Sequence, residues 1–214
     1  MTSIQQKEFL DFITLLDENG LLPHVVLVGS WAEYLYQHGN VLDGFISAAK
    51  TLDIDFLIRN QHRPTPMVDV VSLASKNGYT ADFDYMESTT KLYTPQNLEI
   101  EFLIPQYGVG DARVIPTNLG IKAQALRHMD ILLTHTMTVS FHGMEILVPR
   151  PEAYVVHKIV INRSRKNKRE KDRDAIRNLW PFLHKETLQT ITNGLTKKEQ
   201  TTFRQITSEM ELET

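Results

Sequence analysis

Apolar residues recur every three or four positions from Ser3 to Asn19, where Ile4, Phe9, Phe12, Ile13 and Leu16 share one side of a predicted helix. Ser3 followed by Gln6 has the form of a capping box, and Gly20 supplies a stop. The period then changes. His24-Val25-Val26-Leu27-Val28 is a short, mostly β-branched run, the mark of a buried strand; it breaks at Gly29-Ser30 and continues from Trp31 to Tyr36 as a helix reaching Gly39. A loop over 39–50 leads to a second strand, Leu52-Asp53-Ile54-Asp55-Phe56-Leu57-Ile58. A helix is predicted from Pro66 to Lys76, ending near Gly78, and Ala81 to Tyr93 fits one or two exposed strands. Leu98-Glu99-Ile100-Glu101-Phe102-Leu103-Ile104 is a third strand, closed by Pro105. No single period governs 106–135. Thr136 to Phe141 and Met144 to Val148, around His142-Gly143, read as a hairpin.

From Pro151, well placed for a first helical turn, the pattern is helical. Val155, Val156, Ile159 and Val160 form an apolar stripe; a second helix follows from Lys168 to Trp180 with Ala175, Ile176 and Leu179 inward, and a third from Lys197 to Glu211. The expected fold class is α/β: a mixed sheet in an N-terminal domain, 1–150, with a helical region, 151–214, packed on it.

Composition narrows the function classes. No apolar run approaches the roughly 20 residues of a membrane helix, and the start, MTSIQQKEF, has neither the basic end nor the apolar core of a secretion signal. The chain has no cysteine, which excludes disulfides, thiolate zinc sites and a cysteine nucleophile and fits a cytoplasmic protein. Its 8 histidines show no metal-ligand spacing, and a net charge of -3 argues against wholesale coating of DNA.

The chemistry gathers on the strands. Residues two apart in a strand point to the same side, so Asp53 and Asp55 stand together, opposite Ile54, Phe56 and Ile58. Two close carboxylates repel unless a raised pKa or a bound cation relieves them, and oxygen-only ligands suit a hard divalent ion. Glu99 and Glu101 repeat the layout. If the two strands pair, three or four acids meet, the setting in which two metal ions assist in-line displacement at phosphorus. At Gly29-Ser30, glycine admits close approach of a ligand, and the free N–H groups of the next helix with the Ser30 hydroxyl make a phosphate site.

In order these parts read VVLVGS, TLDIDFLI and LEIEFLIP. The sequence resembles the nucleotidyltransferase superfamily of the polymerase-β-like fold, and more narrowly its bacterial stand-alone members, in which the sheet is followed by a His-Lys helix and a basic, acid-punctuated stretch; here these are PEAYVVHKIVINR and KNKREKDRDAIRNLW. The resemblance implies that Gly29 and Ser30 hold the phosphates of a nucleoside triphosphate such as ATP, and that Asp53, Asp55 and Glu101 bind Mg²⁺ or Mn²⁺. Glu101 would also help activate an acceptor hydroxyl on a small molecule, an RNA or a protein. The following Phe-Leu-Ile-Pro favours Glu101 over Glu99 as the third carboxylate. The interval from Ser30 to Asp53 is longer than in compact members, so 39–50 is an inserted loop.

Supporting residues carry two readings each. Lys158 either reaches the triphosphate or snorkels from a core helix, while His157 is expected to be a satisfied, partly buried histidine. The basic run from Arg163 to Arg173 is either a solvated helix junction or a phosphate-contacting patch, and Asp172 either pairs with Lys168 or turns toward the site. Trp31, Tyr34 and Tyr36 read as core rather than base-stacking residues. Rival classes are a catalytically silent nucleotide-binding or protein-interaction module of the same fold, as in toxin–antitoxin or defence systems, and a metal-dependent phosphohydrolase. The intact Gly-Ser and carboxylates disfavour the first; the lack of a histidine-rich metal set disfavours the second.

Overall fold

The computed structural model describes residues 1–48, 51–84, 89–108, 110, 113–165 and 167–212. Parts of the 39–50 loop and of the 81–93 segment, together with Lys166 of the basic run, lie outside the described residues. The first helix, α1 (Ser3–Glu18), is capped one residue earlier than the sequence suggests: Thr2 and Gln5 make the capping box, so the Ser3–Gln6 assignment is corrected. After a 3₁₀ turn, β1 (Val25–Val28) leads through Gly29 into α2 (Ser30–His38). The loop that follows is anchored by Phe45, which is buried and meets Phe182 edge-on at 5.5 Å.

Next come β2 (Asp53–Ile58), α3 (Val70–Lys76), β3 (Thr80–Asp84), β4 (Thr89–Tyr93) and β5 (Glu99–Pro105). Helix α3 starts four residues later than the expected Pro66, because Asp69 accepts the N–H of Ser72 and caps it there. The unpatterned 106–135 stretch contains β6 (Val114–Pro116), β7 (Lys122–Leu126) and α4 (Met129–Thr134); β8 (Thr136–Phe141) and β9 (Met144–Pro149) form the expected hairpin.

The main sheet has seven strands, in the order β1-β2-β5-β4-β3, with β7 also on β5 and β6 on β7. Strand β5 is the hub. It runs parallel to β2 along one edge; on the other its first half pairs with β4 and its second half with β7. The faces follow strand alternation. Ile54, Phe56, Ile100 and Phe102 pack toward α1, where Phe12 lies 5.7 Å from Phe56. The other face carries the acids at one end and an apolar cluster at the other: Val26, Val28, Leu57 and Leu103, covered by Met129 and Leu132 of α4.

The C-terminal part consists of α5 (Pro151–Ile161), α6 (Arg169–Leu179), α7 (Lys185–Asn193) and α8 (Lys197–Glu209); α7 has no counterpart in the predicted elements. Every residue from Pro151 to Val160 is buried, so α5 is enclosed all round rather than carrying one apolar stripe. It packs against α4, α6, α7 and α8. This mixed sheet with its C-terminal helical bundle is the polymerase-β-like nucleotidyltransferase fold. Among the described residues no helix is long and apolar enough to cross a membrane.

Candidate active site

Strand register decides which acids meet. Asp53 lies opposite Glu99 and Asp55 opposite Glu101, so two rows of carboxylates run side by side on parallel neighbours. On the other side of β2, Val28 is paired with Asp55, and the next residue, Gly29, turns the chain into α2. Gly29 has φ 68 and ψ -156, a conformation almost confined to glycine, and a Cβ there would sit 2.3 Å from Asp55 Oδ2. Glycine is therefore required by the aspartate as well as by the turn. No side chain caps α2, whose first N–H groups belong to Ser30 and its successors.

The acids are not equivalent. Burial, then the neighbouring charge of Asp53, pushes Asp55 up to about 6. Burial, then the hydrogen bond with Glu99, pushes Glu101 up to about 7. Lys91 of β4, in register with Glu101, lies 2.9 Å from a carboxylate oxygen of Glu99 and 2.9 Å from one of Glu101. Burial works against the Lys91 charge, yet these two hydrogen bonds raise its pKa well above that of an ordinary lysine. Burial likewise opposes ionisation of Glu99, but Glu101 and Lys91 together hold it below the usual range. Nζ of Lys168 approaches Asp53 to 3.6 Å.

A cavity of about 360 Å³ is lined by Gly29, Asp55, Glu101, Lys158, Arg165 and Lys168, and its apolar wall includes Leu103, Leu126 and Met129. Four of the expected residues, Gly29, Asp55, Glu101 and Lys158, thus share one cavity. Ser30 adjoins it through Gly29, while Asp53 opens on a neighbouring groove with Lys168 and Lys171. Among the described residues no three His, Asp or Glu side chains are gathered closely enough to hold a metal ion. The donor chemistry nonetheless fits a hard divalent cation, being all carboxylate oxygen, and Gly29 keeps the space beside Asp55 open.

Lys158 is buried and paired with Asp172 of α6 at 2.7 Å; Arg165 reaches the same carboxylate at 3.3 Å. Asp172 therefore does not pair with Lys168; it turns toward the site, where its two partners line the cavity. The Lys158 ammonium also stands over the ring of Tyr154, 4.9 Å from its centroid, and the Tyr154 hydroxyl donates to buried Glu33 of α2. Burial raises the pKa of Glu33. This chain of contacts fixes the helix that begins at Ser30 against α5. His157 is more buried than expected and is not satisfied: its Nε2 has no hydrogen-bond partner among the described residues, and burial lowers its pKa to about 3. Trp31 stacks on Phe9 at 4.2 Å, and the Tyr36 hydroxyl donates to Pro149 O at 2.8 Å, so these aromatics belong to the core.

The basic run divides in two. Arg163, Arg169 and Arg173 surround Glu209 of α8 at 2.8, 3.7 and 2.8 Å, whereas Arg165 and Lys168 line the cavity. Sequence reading names the run but does not make this division, and it does not identify Lys91 or Glu33 at all.

Residues 7–196 match the sequence profile of a family described as nucleotidyltransferase, and the chain belongs to that family. A search of curated proteins finds no match. Among solved structures, the chain is similar to an antigenic nucleotidyltransferase-like protein from Paracoccidioides brasiliensis, with 14% identity over 88% of this chain and 84% of that one and a TM-score of 0.52. It is also similar to ANT(2")-Ia in complex with adenylyl-2"-tobramycin, with 11% identity over 88% and 95% of the two chains and a TM-score of 0.55. The solution structure of the antibiotic-resistance factor ANT(2'')-Ia matches at 12% identity over 99% and 97%, with a TM-score of 0.51. At these identities the structural likeness concerns the fold.

Proposed function

We propose that this protein is a divalent-metal-dependent nucleotidyltransferase that moves a nucleoside monophosphate from a nucleoside triphosphate to an acceptor hydroxyl, releasing pyrophosphate. The observation that carries the reading is the register of Asp53 and Asp55 on β2 with Glu99 and Glu101 on β5, beside a glycine turn that only Gly29 can make without striking Asp55. In this reading Asp53, Asp55 and Glu101 hold Mg²⁺ or Mn²⁺, which when bound neutralises charge on the phosphates and the attacking oxygen. The N–H groups at Ser30 receive the outer phosphates, and Lys158 supplies a fixed positive charge from α5. Arg165 and Lys168 add charge at the mouth. Glu101, the acid with the higher pKa, takes the proton from the acceptor hydroxyl as its oxygen bonds to the α-phosphorus; the bond to the β-phosphate oxygen breaks and pyrophosphate leaves. Residues 1–150 serve as the catalytic domain, with 151–214 as the helical region that brings Lys158 to it. The narrower likeness to bacterial stand-alone enzymes and a cytoplasmic setting belong to the same proposal.

The acceptor class stays broad: a small molecule, as the adenylyl-2"-tobramycin complex of ANT(2")-Ia illustrates for that protein, or an RNA or a protein. A silent module of the same fold is the competing reading, favoured by the pairing of Lys91 and Lys168 with the carboxylates. Incubation with Mg²⁺, each α-labelled nucleoside triphosphate, and total RNA, a protein extract or an aminoglycoside panel separates the two. Label transfer that disappears in Asp53→Ala and Asp55→Ala supports the enzyme. Nucleotide binding without transfer to any acceptor, unchanged in those variants, supports the silent module.

A further inference from the structure

Strand β5 lies between β2 and β4, so Glu101 has Asp55 on one side and Lys91 on the other. Lys91 contacts both glutamates at 2.9 Å and is itself only 18% exposed, unlike Lys168, which is 56% exposed and stands 3.6 Å from Asp53. The two acidic rows are therefore treated differently. The Glu99–Glu101 row is closed by a fixed ammonium on the β4 side, while Asp55 has no ion pair of its own within 4 Å among the described residues. Accepting the reading of Asp53, Asp55 and Glu101 as the residues that hold a divalent cation, we infer that Lys91 is the site's resident counter-cation. It is a positioning residue that neutralises the Glu99–Glu101 row when no ion is bound and competes with a divalent ion for Glu101.

This accounts for two features together. The acidic residues of β5 are tolerated without a metal because a lysine in register with Glu101 shares its protons with both carboxylates. Glu101 is held from the side opposite Asp55, which accounts for the lack of a closely gathered ligand trio among the described residues. Binding of the ion then requires Glu101 to change partners, and Lys91 sets the ion concentration at which that happens.

The test is binding of Mn²⁺, followed by its electron paramagnetic resonance signal, in the wild type and in Lys91→Met, Lys91→Arg and Asp55→Asn, alongside thermal denaturation in EDTA and in saturating Mg²⁺. Removing a unit charge about 5 Å from a divalent ion is expected to tighten Mn²⁺ binding about tenfold in Lys91→Met, even at the dielectric of water. Lys91→Arg should stay within about twofold of wild type by the same electrostatic argument. In EDTA, Lys91→Met should melt below wild type, and saturating Mg²⁺ should remove the deficit. If Lys91→Met proves unfolded in EDTA, it is prepared in Mn²⁺ and its affinity measured by chelator competition. A Mn²⁺ site that Asp55→Asn destroys but Lys91→Met leaves unchanged or weakens overturns this inference alone. Absence of any Mn²⁺ site sensitive to Asp55→Asn overturns the metal-holding reading and this inference with it.

Discussion

Asp55→Asn is expected to stabilise the metal-free protein while abolishing transfer. In the folded chain burial and the charge of Asp53 push Asp55 up to about 6, from an ordinary 3.8. A carboxyl whose pKa is raised by folding holds its proton more tightly in the native state than in the unfolded one. Its contribution to stability is therefore greatest at low pH, declines as pH rises from about 4 to 6, and is fully lost above that. About two pH units correspond to roughly 3 kcal/mol. Local relaxation around a largely buried carboxylate recovers part of such a penalty, which leaves about 1–2 kcal/mol. Asparagine keeps the shape and removes the charge. Urea unfolding in EDTA at pH 7 should show Asp55→Asn more stable by about 1–2 kcal/mol, with the gap roughly halved at pH 5 and nearly closed at pH 4. A variant equal to or less stable than wild type at pH 7, or a gap independent of pH, would refute the argument that this carboxylate is held at the expense of stability.

Other outcomes follow from the same geometry. Gly29→Ala should lose about 1–3 kcal/mol in urea titration from backbone strain, and transfer should fall at least about 100-fold because Asp55 is displaced. Asp172→Asn leaves the buried Lys158 ammonium without its carboxylate and should cost about 3–5 kcal/mol in the same titration; in the Lys158→Met background the cost should be much smaller, which a double-mutant cycle measures. Glu209→Gln releases Arg163, Arg169 and Arg173 from a pairing on the protein surface, so its melting temperature should drop slightly at low salt and approach wild type at high salt.

The part of the site legible in the sequence is the part written with local periods. Alternation in LDIDFLI and LEIEFLI assigns Asp53, Asp55, Glu99 and Glu101 to faces, and a glycine between a β-branched run and a helix marks the turn. Lys91 lies in the unremarkable stretch TTKLY, and its importance comes from pairing with Glu101 across a strand boundary, which no local period records. The partition of the basic run has the same character: Arg163 and Arg173 are claimed by Glu209, which is 46 and 36 residues further on. Helix α7 escaped because KETLQTITN offers only Leu188 and Ile191 as buried residues, too few to show a period. The capping box sits one residue from its expected place for a related reason, since Thr2 and Ser3 can both cap a helix and the choice between them is made by the fold.

Strand alternation also explains why so unfavourable a row of acids survives folding. The opposite faces of β2 and β5 present Ile54, Phe56, Ile100 and Phe102, all essentially buried. Each such side chain contributes about 1.5–3 kcal/mol, so any two of them offset the penalty at Asp55. A slip of one residue in either strand would turn that strand's two apolar residues outward and drive its two carboxylates into the core against Phe12 and its neighbours. The register is therefore enforced from both faces, by apolar burial on one and by the cost of burying charge on the other. Acids placed where they cost stability thus serve to fix the strand pairing that Asp55 and Glu101 need in order to act together.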